Sequence, residues 1–165
     1  MSTAHWTTVS LSTGPFTVIA ADGTVLASGW TPDPEYLNAL IHPTLRPETL
    51  THIDDLGSIS SAAVRYDEGD VTAIDEVPVR QLSGEFVTHA WEVLRGVTPG
   101  EQVTYGELAE RAGNGAAHRA AATTCARNAA ALFVPCHRVQ RRDGTLGGFR
   151  YGLDIKRALI AHEAQ

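Results

Sequence analysis

The 165 residues include 43% hydrophobic and 19% charged side chains, enough apolar mass for one buried core or two small ones. No window approaches the ~20 apolar residues that cross a bilayer, and Met1-Ser2-Thr3-Ala4-His5-Trp6 has no basic stretch followed by an apolar run, so a cytoplasmic protein is expected. The formal charge of −6 is divided unevenly. Residues 1–85 carry three arginines against twelve acids, a balance of −9, whereas residues 86–165 carry ten basic residues against seven acids, a balance of +3. From Arg119 to Arg157 the excess is +6 over 39 positions. A polyanion can dock on such a segment, although a solvated basic face looks the same in composition.

Taken in chain order, Trp6–Leu11 and Phe16–Ala20 alternate, and Asp22-Gly23 is a tight-turn pair before Val25–Trp30, which predicts antiparallel strands. A proline-rich stretch follows (Pro32, Pro34, Pro43, Pro47), then a helix around Gly57–Tyr66 and an acidic stretch from Asp67 to Glu76. Residues 1–80 form the expected first domain, a small α/β unit ending in a linker at Val77-Pro78-Val79.

The second half, residues 81–165, reads as helical. Phe86, Val87, Ala90, Trp91 and Leu94 share a helical face, with Ser83 expected as the cap and Gly96 and Pro99-Gly100 as the stop. Thr104 and Glu107 have capping-box spacing at the start of a helix from Tyr105 to Ala112. After Gly113-Asn114-Gly115, the alanine-rich stretch Ala116–Arg127 predicts a second helix, making a helix-turn-helix candidate. Ala129–Val134 is a buried strand or extended segment, stopped by Pro135. Gln140–Gly152, with Asp143-Gly144 and Gly147-Gly148, predicts a hairpin or wing, and the last helix, from Ile155, is expected to be capped by Asp154.

Cys125 and Cys136 lie eleven positions apart without a third thiol, a pattern of free thiols rather than a disulfide framework or metal knuckle. Cys125, inside a helix, reads as packing. In Pro135-Cys136-His137-Arg138 a thiol follows a residue of locked φ and precedes an imidazole and a guanidinium. Nearby positive charge favours the thiolate, which is the nucleophilic form. An arbitrary cysteine is more often buried and inert.

The run Pro135-Cys136-His137-Arg138-Val139, with Tyr105-Gly106-Glu107-Leu108-Ala109, Arg119, Asn128 and Glu163 at their spacings from Cys136, resembles the O6-alkylguanine-DNA alkyltransferase family over residues 84–165. The resemblance implies an α+β fold, with a small N-terminal α/β (RNase H-like) domain and a C-terminal winged helix-turn-helix-like domain. It implies direct repair of O6-alkylguanine, and of O4-alkylthymine, by irreversible transfer of the alkyl group to Cys136 after base flipping. Glu163 would orient His137, which would withdraw the Cys136 proton through a water. Tyr105 would relieve charge on the leaving base. Arg119 would fill the gap left by the extruded nucleotide, on a small-residue helix in the minor groove of double-stranded DNA. Asn128 would brace the turn before the cysteine segment, and Val139, Arg150 and Lys156 would shape the base pocket. No cofactor is required, because a thioether is a stable product.

A monomer is implied, with cooperative binding along DNA left open. His5, His42 and His52 lack ligand spacing and no cysteine precedes Cys125, so no metal is expected. This chain departs from the family pattern at Arg119-Ala120-Ala121-Ala122, at Asn128-Ala129, and at Arg150 and Tyr151, whose bulk implies a narrower pocket suited to small alkyl groups. Two other readings stand beside the first. One is a lesion-recognition module without transfer, against which the presence of Cys136 argues. The other is a cysteine hydrolase, disfavoured because a histidine adjacent in sequence is poorly placed to contact its cysteine directly.

Overall fold

The computed structural model describes residues 2–165. It divides into two compact units: one runs to Leu82 and also takes Ala129–Phe133, and the other comprises Ser83–Asn128 and Val134–Gln165. The fold is mixed α+β.

In the first unit, β1 (Thr3–Leu11), β2 (Gly14–Ala21), β3 (Thr24–Gly29) and β4 (Thr49–His52) form one sheet in the order β3-β2-β1-β4. The first three are antiparallel, and β4 runs parallel to β1. The β2–β3 turn is built on the Asp22-Gly23 pair, with φ of 52° and 74°, the left-handed pair that matches the twist of flanking strands. Two α-helices, α1 (Pro34–Asn38), capped by the Asp33 side chain, and α2 (Ser58–Asp67), which packs on β1, and a 3-10 turn at Ala73–Glu76 complete this unit among the described residues.

Phe16 to Ala20 are buried without a break, where alternation would leave one face wet. β3 is buried from Val25 to Gly29 because two segments close its free edge. On one, Val25 N donates to Pro78 O and Arg80 N to Val25 O, so the expected linker at Val77-Pro78-Val79 is a paired strand extension. On the other, Ser28 N donates to Ala129 O, Ala131 N to Ser28 O, and the Ser28 hydroxyl to Ala131 O. Phe133 follows and sets its ring 6.1 Å from Phe16, itself 4.9 Å from Trp30. Burying a ring of that size contributes roughly 1.5–3 kcal/mol. Ala129–Phe133 therefore leaves the contiguous 81–165 block and closes the core of the first unit.

The second unit holds α3 (Glu85–Arg95), α4 (Tyr105–Arg111), α5 (His118–Ala126) and α6 (Leu153–Glu163), with the short strands β5 (Val103–Thr104) and β6 (Val139–Gln140). α3 turns Val87, Ala90, Trp91 and Leu94 inward, and the Trp91 indole donates to Thr124 O of α5 at 2.8 Å. Ser83 is not its cap. Gly84 takes that position, and the Thr88 hydroxyl instead accepts from Ser83 N and donates to Ser83 O. The capping box of α4 is complete in both directions, at 3.1 Å each way between Thr104 and Glu107.

α5 begins at His118, two residues later than expected, because Asn114 holds the preceding turn through Ala116 N and Ala117 N. The segment after Cys136 does not fold back as a hairpin. β6 pairs in parallel with β5, and beyond it come a tight turn where Arg141 N donates to Thr145 O and a second where Gly152 N donates to Phe149 O. Asp154 is likewise not a cap: α6 starts from Gly152 at φ 98°, a left-handed backbone that strains any residue with a Cβ. Asp154 sits in the first turn, 3.4 Å from Arg157.

Candidate alkyl-transfer site

Pro135 ends the apolar run, and the chain makes one short 3-10 turn, Cys136–Arg138, before entering β6. Parallel pairing of Val139 with Val103 brings this turn alongside Thr104 and the first residue of α4, Tyr105. α5 approaches from its C-terminal end. Asn128, just beyond it and buried, donates its side-chain amide to Val134 O at 2.8 Å and hydrogen-bonds the Cys136 thiol. Its backbone N–H donates to Cys125 O at 3.3 Å.

His137 and Glu163 are both buried, and the imidazole Nε2 lies 2.7 Å from the Glu163 carboxylate. The other ring nitrogen, Nδ1, is buried without a hydrogen-bond partner among the described residues. Arg138 is fully buried as well. Its Nε and Nη2 donate to the two Glu163 oxygens at 2.9 Å each, and its Nη1 donates to Val97 O at 2.6 Å. The guanidinium is thus spent on Glu163 and a backbone carbonyl, so the positive setting that the sequence assigned to His137 and Arg138 arises elsewhere. The charges that favour a Cys136 thiolate are those of Lys156 and then Arg150.

Burial sets the resting proton positions. It pushes the Cys136 thiol above its ordinary range despite the Asn128 hydrogen bond and the Lys156 charge, and it pushes His137 below its ordinary range despite the pull of Glu163. Both shifts favour a neutral thiol beside a neutral imidazole. Burial would also raise Glu163, but the bonds from His137 and Arg138 win, and the carboxyl stays far below the ordinary carboxylate range. Cys125, raised by burial in turn, is a neutral thiol.

Lys156 is 1% exposed rather than at a solvated rim. Its ammonium donates to Val139 O at 2.8 Å and to Leu146 O, and burial lowers its pKa. Arg150 is exposed, and it donates to Ala126 O at the end of α5 at 2.5 Å. Tyr105 is half-buried, its phenol raised by burial and then by the charges that Cys125 and Cys136 would carry as thiolates. A Cβ on Gly147 would stand 2.9 Å from the Tyr105 hydroxyl, so only glycine lets the loop approach that closely.

Tyr105 also lines a cavity of about 450 Å³ with Gly106, Glu110, His118, Arg141 and Arg142. On α5, Arg119 and Ala122 are exposed, whereas Ala121 turns inward with Thr124, so the alanine face expected to lie open is only partly so. The fold thus brings Cys136, His137, Glu163, Asn128, Val139 and Lys156 together, with Tyr105 and Arg150 at their edge and Arg119 on the outer face of α5. Arg138 and Gly147 were not legible as structural parts of the site. The one signal for Arg138 was a charged residue beside the apolar Val139 in a segment otherwise built for burial.

The family model for the DNA-binding domain of 6-O-methylguanine DNA methyltransferase matches residues 85–165. The bifunctional transcriptional activator/DNA repair enzyme Ada of Escherichia coli is 45% identical over 80 residues, 48% of this chain and 23% of that protein; the chain spans less than a quarter of that relative's length. The methylated-DNA–protein-cysteine methyltransferase of Mycobacterium bovis is 31% identical over 162 residues, 96% of this chain and 92% of that one. Among solved structures, OGT of Mycobacterium tuberculosis in complex with DNA aligns with a TM-score of 0.75 at 26% identity, covering 97% of this chain and 92% of that chain. Similarity across nearly the whole of both chains, with a family model over the unit that holds the Cys136–His137–Glu163 arrangement, makes this chain a member of the methylated-DNA–protein-cysteine methyltransferase family.

Proposed function

We propose that this protein repairs O6-alkylguanine in double-stranded DNA, and O4-alkylthymine, by moving the alkyl group onto Cys136. The observation that carries the reading is the buried line from Glu163 through His137, with Nδ1 open on the side away from the carboxylate. His137 takes the Cys136 proton at Nδ1, through a bridging water, and Glu163 stabilises the imidazolium. Sγ attacks the alkyl carbon, the carbon–O6 bond breaks, and its electron pair returns to the base. The Tyr105 hydroxyl donates to the base as this charge develops. The thioether has no good leaving group, so each molecule reacts once.

The target atom lies inside the base stack, so the nucleotide must first be turned out. Arg119, exposed on α5 with Ala122 one turn further on, suits a helix that lies in the minor groove and fills the vacated space. The Val139 backbone, Lys156 and the loop containing Arg150 frame the base pocket. The protein acts as a monomer.

The test is to mix the protein with duplex DNA containing O6-methylguanine, digest it, and weigh the Cys136 peptide. A gain of one methyl group is expected. An unmodified peptide together with tight, selective lesion binding would point instead to a recognition module, and release of product over many turnovers to a hydrolase.

A further inference from the structure

Glu163 has two claimants. His137 reaches one carboxylate oxygen through Nε2 at 2.7 Å, and Arg138 reaches both oxygens at 2.9 Å, all three side chains having no exposed surface. A carboxylate touching an imidazole in a buried site favours the protonated ring, because opposite charge stabilises the cation. A ring protonated at both nitrogens donates twice and accepts nothing. Beside Cys136 it would be no base.

We infer that Arg138 is a positioning residue that occupies the Glu163 carboxylate with its planar fork and so, adding to burial, helps keep the His137 imidazole neutral, with Nδ1 available as an acceptor. The inference deepens the alkyl-transfer reading and rests on it. Its geometry is complete: the fork uses Nε and Nη2, and the remaining arm is fixed on Val97 O at 2.6 Å. The pair of Arg138 and Glu163 is electrically closed, so a proton on His137 would place two cations on one buried carboxylate. The charged groups that act on the ring are Glu163 and Lys156 from α6 and Arg138 from its own segment. Glu163 alone draws a proton to the ring, whereas Arg138 and Lys156 repel it. Nε2 then carries the hydrogen donated to Glu163, which leaves Nδ1 bare.

The experiment is a nitrogen-detected NMR titration of the His137 ring in the full chain, with alkyl-transfer rates measured from pH 6 to 9. In the unaltered protein the ring is expected neutral at pH 7, with its proton on Nε2. Arg138→Lys keeps a charge but loses the fork, and Arg138→Met loses both. The ring's midpoint should rise by about one pH unit in the first and further in the second, so that transfer falls off about tenfold per pH unit below the raised midpoint and recovers above it. A rate loss equal at every pH, with an unmoved His137 midpoint, would overturn the assignment as a purely structural role. If neither variant folds, the unaltered protein decides, since an imidazolium or an Nδ1–H ring at pH 7 sinks the inference. A low-titrating, Nε2–H ring in a protein that leaves Cys136 unalkylated would sink the functional reading while supporting the role of Arg138.

Discussion

Asn128 spans six residues of chain to donate its side-chain amide to the Val134 carbonyl, two positions before the nucleophile. The same carbonyl accepts the Cys136 backbone N–H at 2.8 Å, so one oxygen is the shared anchor of the turn and of the residue that braces it. The Asn128 side chain also favours the thiolate of Cys136. Asn128→Ala should therefore cost about 1–3 kcal/mol for the lost buried partner and slow alkyl transfer beyond that loss. Denaturant unfolding alongside single-turnover rates separates the two effects, and full-rate transfer in a folded variant would contradict the bracing role.

Stability should fall in acid in two stages. His137 titrates below its unfolded value of about 6.5, so the unfolded chain binds the proton more tightly, and stability is complete above that value and declines as the pH drops through it. Glu163, lowered from an ordinary value of about 4.5, has the same sign and sets the second, steeper loss. Unfolding midpoints recorded from pH 8 to 3 should show both. Glu163→Gln should remove the second stage, and an unchanged acid limb in that variant would contradict the assignment.

Gly147→Ala places a methyl 2.9 Å from the Tyr105 hydroxyl at a backbone φ of 71°. A loss of roughly 1–3 kcal/mol is expected from crowding and left-handed strain. Tyr105→Phe removes the atom that clashes, so in a double-mutant cycle it should recover part of the stability. Tyr105→Phe alone should slow transfer about a hundredfold or more, the low end of what a positioned acid contributes. Strict additivity of the two stability losses would mean that the groups do not meet.

Arg119→Ala should weaken reaction with alkylated duplex DNA much more than reaction with free O6-alkylguanine base, because only the duplex needs its stack filled. The comparison is a pair of second-order rates. Equal losses on both substrates would remove Arg119 from extrusion.

Arg150 fastens its loop to the last turn of α5 through Ala126 O. Arg150→Ala should release that clasp and widen the base pocket, raising the rate with a benzyl adduct relative to methyl several-fold. A ratio that does not move would show that the pocket is closed by other groups.

Local features of this fold were legible in the sequence. The Asp22-Gly23 turn, the Thr104–Glu107 capping box and the inward face of α3 are all written within a few residues, where side-chain spacing alone decides them. The closure of β3 was not legible, because Ser28 meets Ala129 and Ala131 across about a hundred positions. The site divides the same way. Cys136 and His137 are readable from their run, whereas the burial of Lys156 and the capture of Glu163 by Arg138 depend on where α6 comes to lie. Sequence made Arg138 a source of positive charge for the thiol, and packing made it the partner of a carboxylate.

The ammonium of Lys156 grips Val139 O and Leu146 O from a single point. Beyond Gln140, the chain between those carbonyls, including the Arg141–Thr145 turn, is exposed up to Leu146 and pairs with no other strand. Its position is imposed from beneath, in the way that a handle is fixed by its two rivets. A change of side chain or length within that turn is therefore expected to leave the Val139 backbone in place, because the stretch is held at its two ends and not along its length.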